Sequence, residues 1–132
     1  MKSLLAFIIA CATIIDAPLS GQSGKPAEHT HKPKITFIEL GSVKCIPCRM
    51  MQPVMKAIEQ KYSGQVQVVF YDVWQEDQRA YAEKYRIRLI PTQVFLDQKG
   101  RELMRHEGFL PEKEIDAFLQ SKGLKPKAAV KG

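Results

Sequence analysis

The residues with the clearest chemistry are Cys45 and Cys48, two thiols spaced as Cys45-Ile46-Pro47-Cys48. They follow a strand-like apolar run, Ile35 to Leu40, and open an amphipathic segment. A helix start concentrates unpaired backbone N–H groups and the positive end of the macrodipole. Both favour a thiolate over a thiol, and the thiolate is the nucleophile. A pair so placed can cycle between dithiol and disulfide, so thiol–disulfide exchange is the chemistry this spacing offers. Metal handling is the alternative, because the same pair supplies two soft ligands for copper or zinc, with His29 and His31 upstream as further donors. A closed zinc site wants four ligands at tight spacing, and His-x-His in a Gly- and Pro-rich stretch supports it poorly. No metal ligand set is assigned. Haem attachment at this motif is excluded by Arg49, which stands where C-x-x-C-H requires histidine.

The elements that must position the pair fit in one domain, since the chain has 132 residues. Its 45% hydrophobic content supports a core without disulfide staples, and three cysteines are too few for a disulfide scaffold. The net charge of +6 is modestly basic, and much of it lies in the flanks, at Lys25, Lys32, Lys34, Lys122, Lys125, Lys127 and Lys131. No aromatic-interleaved basic stripe or zinc-finger spacing accompanies it, so nucleic acid is not an expected partner.

Residues 1–20 read as an export signal: Lys2 supplies a positive start, Leu4 to Ile15 an apolar stretch, and Ala17-Pro18-Leu19-Ser20 a small-residue cleavage region. The apolar stretch is shorter than the ~20 residues a spanning helix needs. Ile8-Ile9-Ala10-Cys11 resembles a bacterial lipobox, the variant in which Cys11 carries lipid and anchors the chain as a lipoprotein. Cleavage leaves the net charge unchanged, because Lys2 and Asp16 go together, and leaves Cys45 and Cys48 alone to form one disulfide. Such a bond persists in an exported, periplasmic setting.

Residues 21–34 carry no apolar period and read as a flexible linker. Ile35 to Leu40 reads as a strand. From Pro47 the spacing of Met51, Val54, Met55, Ile58 and Tyr62 predicts a helix with one apolar face, kinked at Pro53 and ended by Ser63-Gly64. Val66 to Tyr71 reads as a buried strand and Gln75 to Tyr85 as a second helix. A strand at Thr92 to Leu96, a Lys99-Gly100 turn and a strand at Arg101 to His106 form a hairpin. Pro111 starts a last helix with Ile115, Phe118 and Leu119 on its stripe, ended by Gly123. Residues 123–132 read as a disordered basic tail. Trp74, the single tryptophan, is expected to pack on the domain, and His106 to be structural or exposed. The order is β-α-β-α-β-β-α, an α/β arrangement whose first two strands are parallel and whose helices cover the sheet.

Over residues 35–122 this chain resembles the thioredoxin family. The resemblance rests on an apolar strand into C-x-x-C, Pro53 after it, Lys84-Tyr85 before Ile87, Ile90-Pro91-Thr92, a Lys-Gly hairpin and Gly108-Phe109-Leu110. It implies a thioredoxin fold, a central mixed sheet with flanking helices, and a minimal form in which residues 21–34 offer no counterpart to the family's first strand and helix. It implies a protein-disulfide oxidoreductase that works with no cofactor beyond its own disulfide, as a monomer. Its partners would be protein disulfide or dithiol substrates and a thiol redox partner, with the membrane involved only through the signal or a lipid on Cys11.

By position, the resemblance makes Cys45 the exposed nucleophile and Cys48 the buried resolving thiol. Pro91 becomes the family's cis-proline, presenting backbone to substrate together with Ile90. Glu39 matches the buried carboxyl thought to carry a proton for the resolving cysteine. Departures surround the motif. Lys44 replaces a tryptophan, Gly41 an aromatic, and Ile46-Pro47 a Gly-Pro pair, so Lys44, Ile46 and Pro47 are the expected tuners of redox potential. The family's buried lysine falls near Phe70 or Tyr71 and is missing. The reducing direction is the expectation, from overall resemblance.

Overall fold

The computed structural model describes residues 32–127. The elements run β1 (Ile35–Gly41), α1 (Ile46–Lys61), β2 (Val66–Asp72), α2 (Ala80–Lys84), β3 (Thr92–Asp97), β4 (Glu102–Glu107) and α3 (Glu112–Ser121). The expected export signal, the Cys11 lipobox, most of the linker and the end of the tail lie outside the described residues.

The four strands form one sheet in the order β2-β1-β3-β4. β1 and β2 are parallel, as a helical crossover requires, while β3 is antiparallel to β1 and to β4. Alternation along β1 divides the core in two. Ile35 and Phe37 face α1 and α3, joining Met51, Met55, Ile58, Ile115 and Leu119. Ile38 and Leu40 face the other way, joining Val73, Val94 and the partly buried Tyr81, Tyr85 and Ile87 around α2. Met51, Met55 and Ile58 recur at helical spacing and are buried, each burial stabilising the fold by about 1.5–3 kcal/mol. Phe37 and Phe95 stack at 4.6 Å between centroids, tying β1 to β3 beneath that layer.

Three expectations are corrected. α2 is a single short helix from Ala80, not a helix from Gln75, because residues 75–79 form turns that carry the chain around Asp72. β2 is only half-buried, since it lies at a sheet edge among the described residues. The chain after Gly123 is docked as far as Lys127: Leu124 is buried in the core, the Lys125 N–H donates to Gln65 Oε1, and the Lys127 N–H donates to the Lys61 carbonyl. Leu124 supplies the apolar reason for this. Gly123, at φ 82°, turns the chain so that it can reach the core.

All the connections that matter for chemistry emerge at one end of the sheet. β1 and β2 finish there, β4 finishes there, and β3 begins there. Cys45, Trp74, Pro91 and Gly108 thus lie on neighbouring loops although they are far apart in sequence.

Candidate active site

Cys45 is the N-cap of α1, in extended backbone, and its Sγ accepts the Cys48 N–H at 3.4 Å. The two cysteines are joined as a disulfide across one turn, with a Cα–Cα distance of 5.3 Å. The resemblance implies an exposed first cysteine, but Cys45 is only 9% exposed and Cys48 0%, so both are buried. Ile46 and Pro47 between them are exposed, as is Lys44 before them.

The loop leading to Cys45 is held by a carboxylate that sequence reasoning passed over. Asp72, at the end of β2, accepts the Val43 N–H at 3.2 Å on Oδ2 and the Trp74 N–H at 3.1 Å on Oδ1. Ser42 adds its carbonyl to the Cys45 N–H at 3.1 Å and its Oγ to the Lys44 N–H at 3.2 Å. Desolvation opposes ionisation of Asp72, but the Val43 and Trp74 N–H groups, with the Ser42 and Gln75 side chains, hold its pKa below the ordinary value. Among apolar strand residues, an aspartate at a strand end reads simply as a turn former. Its Trp74 partner is a local turn contact, but its Val43 partner appears only once β1 and β2 are side by side.

Glu39 points to the α1 side of the sheet, in the same alternation as Gly41. It is fully buried, and burial pushes its pKa up to about 8, against the lowering effect of its hydrogen bond from Gln93. Its register partner on β2 is Phe70, where the family's lysine was expected to be missing. An apolar ring stands beside the carboxyl instead of a cation, which is why desolvation dominates. Gly41, two residues on, packs directly on Cys48. A Cβ at this position would lie 3.1 Å from both Cys48 Cβ and Sγ. The departure from an aromatic therefore has a steric counterpart: here the second cysteine occupies the space.

The Ile90–Pro91 bond is cis. Leu40 pairs with Thr92, so Pro91, just before β3, lies at the end of the sheet where β1 finishes. Pro91 is buried and Ile90 half-buried. Thr92 Oγ1 donates to the Leu89 carbonyl at 2.7 Å, and the Gly108 N–H donates to the Pro91 carbonyl at 2.7 Å. The structure thus brings Glu39, Cys45, Cys48 and Pro91 to the same end of β1 and β3. Trp74, expected to pack on the domain, is 54% exposed at this same end. Its N–H bond to Asp72 fixes the backbone and leaves the indole outside. His106 is half-buried on β4, its Nε2 3.2 Å from the Phe109 carbonyl.

Among the described residues, no group of three His, Cys, Asp or Glu side chains is placed to hold a metal ion, and no helix is long and apolar enough to cross a membrane. His29 and His31 lie outside the described residues.

Comparison with known proteins extends the resemblance beyond the motif. Residues 22–123 match the family described as Thioredoxin-like domain, so the match begins well before β1. Thioredoxin H5 of Arabidopsis thaliana is 25% identical over 117 residues, covering 78% of this chain and 92% of its own. Thioredoxin of Pongo abelii is 28% identical over 80 residues, covering 61% and 73%. Among solved structures, a thioredoxin from Nicotiana alata superposes with a TM-score of 0.57 at 27% identity, covering 67% of this chain and 72% of that one. A mutant thioredoxin from Halobacterium salinarum, at 24% identity and a TM-score of 0.59, shares the fold. With matches that run along the whole domain and a cysteine pair closed at the start of α1, this chain belongs to the thioredoxin family, as a protein-disulfide oxidoreductase that reacts through Cys45 and Cys48.

Proposed function

We propose that this protein is an exported reductase of protein disulfides. Cys45 thiolate attacks a substrate disulfide, forming a mixed disulfide and releasing one substrate thiolate. Cys48 then passes its proton to the Glu39 carboxylate and attacks Cys45 Sγ. The Cys45–substrate bond breaks, the Cys45–Cys48 disulfide forms, and the second substrate thiolate leaves. Two electrons pass to the substrate, and a dithiol redox partner returns them.

The observation that carries this reading is a buried acid on the strand face that also meets a buried cysteine. Glu39 is fully covered with its pKa raised to about 8, on the strand face where Gly41 touches Cys48. A group that titrates near neutrality suits proton exchange with a thiol whose own ordinary pKa is ~8.5. Cys45, in turn, gains a backbone N–H from Cys48 and the positive end of α1, which favours its thiolate.

The surroundings support a protein substrate. Val43, Ile46, Met50, Trp74, Leu89 and Phe109 are large, apolar and exposed, and all sit at the end of the sheet that holds Cys45. An apolar rim of this kind favours a partner that offers hydrophobic side chains around its own disulfide. The reducing direction draws on the thioredoxin relatives, and the exported setting on the signal-like residues 1–20.

The reduction potential of the Cys45–Cys48 pair tests the direction. A value near roughly −270 mV supports a reductase, and one near roughly −120 mV would establish an oxidant instead. Mass spectrometry of the mature protein tests export: a first residue after position 17 supports cleavage and removes the lipoprotein variant, a lipid on Cys11 establishes that variant, and an intact Met1 overturns export.

A further inference from the structure

Gln93 is a fully buried amide on β3, and the chemistry above leaves it unused. It is 0% exposed and pairs directly with Glu39 across β1 and β3. Its Nε2 donates to Glu39 Oε2 at 2.9 Å and to the Gly108 carbonyl at 3.1 Å. Gly108 in turn donates its N–H to the Pro91 carbonyl at 2.7 Å. Both hydrogens of the amide nitrogen are thereby used, one on the carboxyl and one on the loop beside Pro91. The opposite amide orientation would set Gln93 Oε1 against the Gly108 carbonyl, which can only accept, so the contacts select this one. Glu39 Oε1 is buried with no hydrogen-bond partner in the protein. A buried carboxyl oxygen left open in this way requires a reason, and a proton-exchanging role supplies one.

We propose that Gln93 is a positioning residue: it clamps Glu39 Oε2, leaves Oε1 as the oxygen that exchanges a proton with Cys48, and ties that orientation through Gly108 to the loop carrying Pro91. This inference rests on the reading of Glu39 as proton carrier. In the step it serves, the Cys48 S–H bond breaks, the proton goes to Oε1, and the resulting thiolate attacks Cys45 Sγ. The amide neither gains nor loses a proton or an electron.

The hydrogen bond from Gln93 also opposes burial in setting the acidity of Glu39. The groups that face this carboxyl are few. Gln93 pairs with Glu39 from β3 and Phe70 from β2, while Cys48 of α1 packs on Gly41 two residues along the same strand face, and the Gly108 carbonyl holds the other hydrogen of the Gln93 amide. His106, register partner of Gln93 on β4, is the titratable group one strand further away.

The test uses the full-length protein with Cys45 preloaded with thionitrobenzoate, whose release reports attack by Cys48 from pH 5 to 10. Gln93→Met keeps the length of the side chain and removes both donors. The expected result is an upward move of the Glu39-dependent limb by about one pH unit, with release slowed about tenfold at pH 7. Loading of Cys45 should change less than twofold, and His106→Asn should leave the limb in place. In a Glu39→Gln background, Gln93→Met should add no further slowing. A wild-type profile in Gln93→Met overturns the proposal while Glu39→Gln still slows release. An unaltered rate in Glu39→Gln instead overturns the proton-carrier reading beneath it. Should Gln93→Met fail to fold, the wild-type side-chain amide decides by NMR. Nε2 proton shifts that follow the titration of Glu39 support the clamp, and shifts flat across that range overturn it.

Discussion

Gly41 and Cys48 stand so close that a Cβ at position 41 would lie 3.1 Å from both Cβ and Sγ of the cysteine. Strand β1 and helix α1 therefore meet at Cys48 with no side chain between them. Gly41→Ala must displace Cys48 or the start of α1. The expected cost is about 1–3 kcal/mol, the range for overpacking a filled core. Chemical denaturation of oxidised and reduced forms checks this, and equal midpoints for variant and wild type would show that the contact can yield freely.

The two cysteines should separate cleanly by mutation. Cys45→Ser is expected to abolish dithiol-coupled insulin reduction. Cys48→Ser should still be attacked by a disulfide reagent and should accumulate the mixed disulfide, which intact mass spectrometry detects. A Cys45→Ser protein that retained turnover would place the nucleophile elsewhere.

Glu39 makes stability depend on pH. Its folded pKa of about 8 lies above the ordinary value of 4.5, so the native state binds the extra proton. Its contribution is fully present below about pH 4.5 and is lost as pH rises through about 8, a loss on the order of 5 kcal/mol. Glu39→Gln keeps an acceptor for Gln93 and cannot ionise. The variant should therefore gain stability relative to wild type above pH 8, measured by denaturant midpoints across pH. It should also slow release of substrate from Cys45 at neutral pH. Parallel stability curves would exclude the buried ionisation.

Asp72 has the opposite sign. Its pKa is lowered from 3.8, so its stabilisation is present above that value and is lost as pH falls through the folded pKa. Asp72→Ala leaves the Val43 and Trp74 N–H groups without their carboxylate, and the expected cost is about 1–2 kcal/mol. Because Val43 leads into Cys45, the rate of Cys45 attack on a disulfide reagent should fall together with stability. Thermal unfolding and stopped-flow kinetics measure the two effects.

Arg86 is a non-glycine residue at φ 50°, at the end of α2. Left-handed backbone costs an L-residue roughly 1–2 kcal/mol, part of which glycine returns as chain entropy in the unfolded state. Arg86→Gly is expected to stabilise the fold by about 0.5–1 kcal/mol. A lower denaturation midpoint would show that the guanidinium, which lies near Glu102, contributes more than the backbone costs.

Local patterns in the chain carried much of this protein. A short apolar run located β1, a Lys-Gly turn the hairpin, and period-3.6 spacing α1 and α3, because a helix imposes its own spacing on buried residues. The C-x-x-C pair at a helix start announced its chemistry, since the backbone N–H groups there act on residues within one turn. Where local signals are weak, tertiary packing decides. Good helix formers from Gln75 onward suggested a long α2, yet the turns around Asp72 took that stretch. A basic composition suggested a loose tail, yet Leu124 found the core.

What no local pattern could contain was who faces whom. Glu39 meets Gln93, and Gly41 meets Cys48, only because β1, β3 and α1 pack in one register, set by burial summed over the whole sheet. The same register places the Gly108 loop on Pro91 and gathers the exposed apolar side chains at one end. Residue types and short spacings are written along the chain and can be read there. Contacts between residues dozens of positions apart exist only after folding, and those contacts set the acidity of Glu39 and the narrow exposure of Cys45.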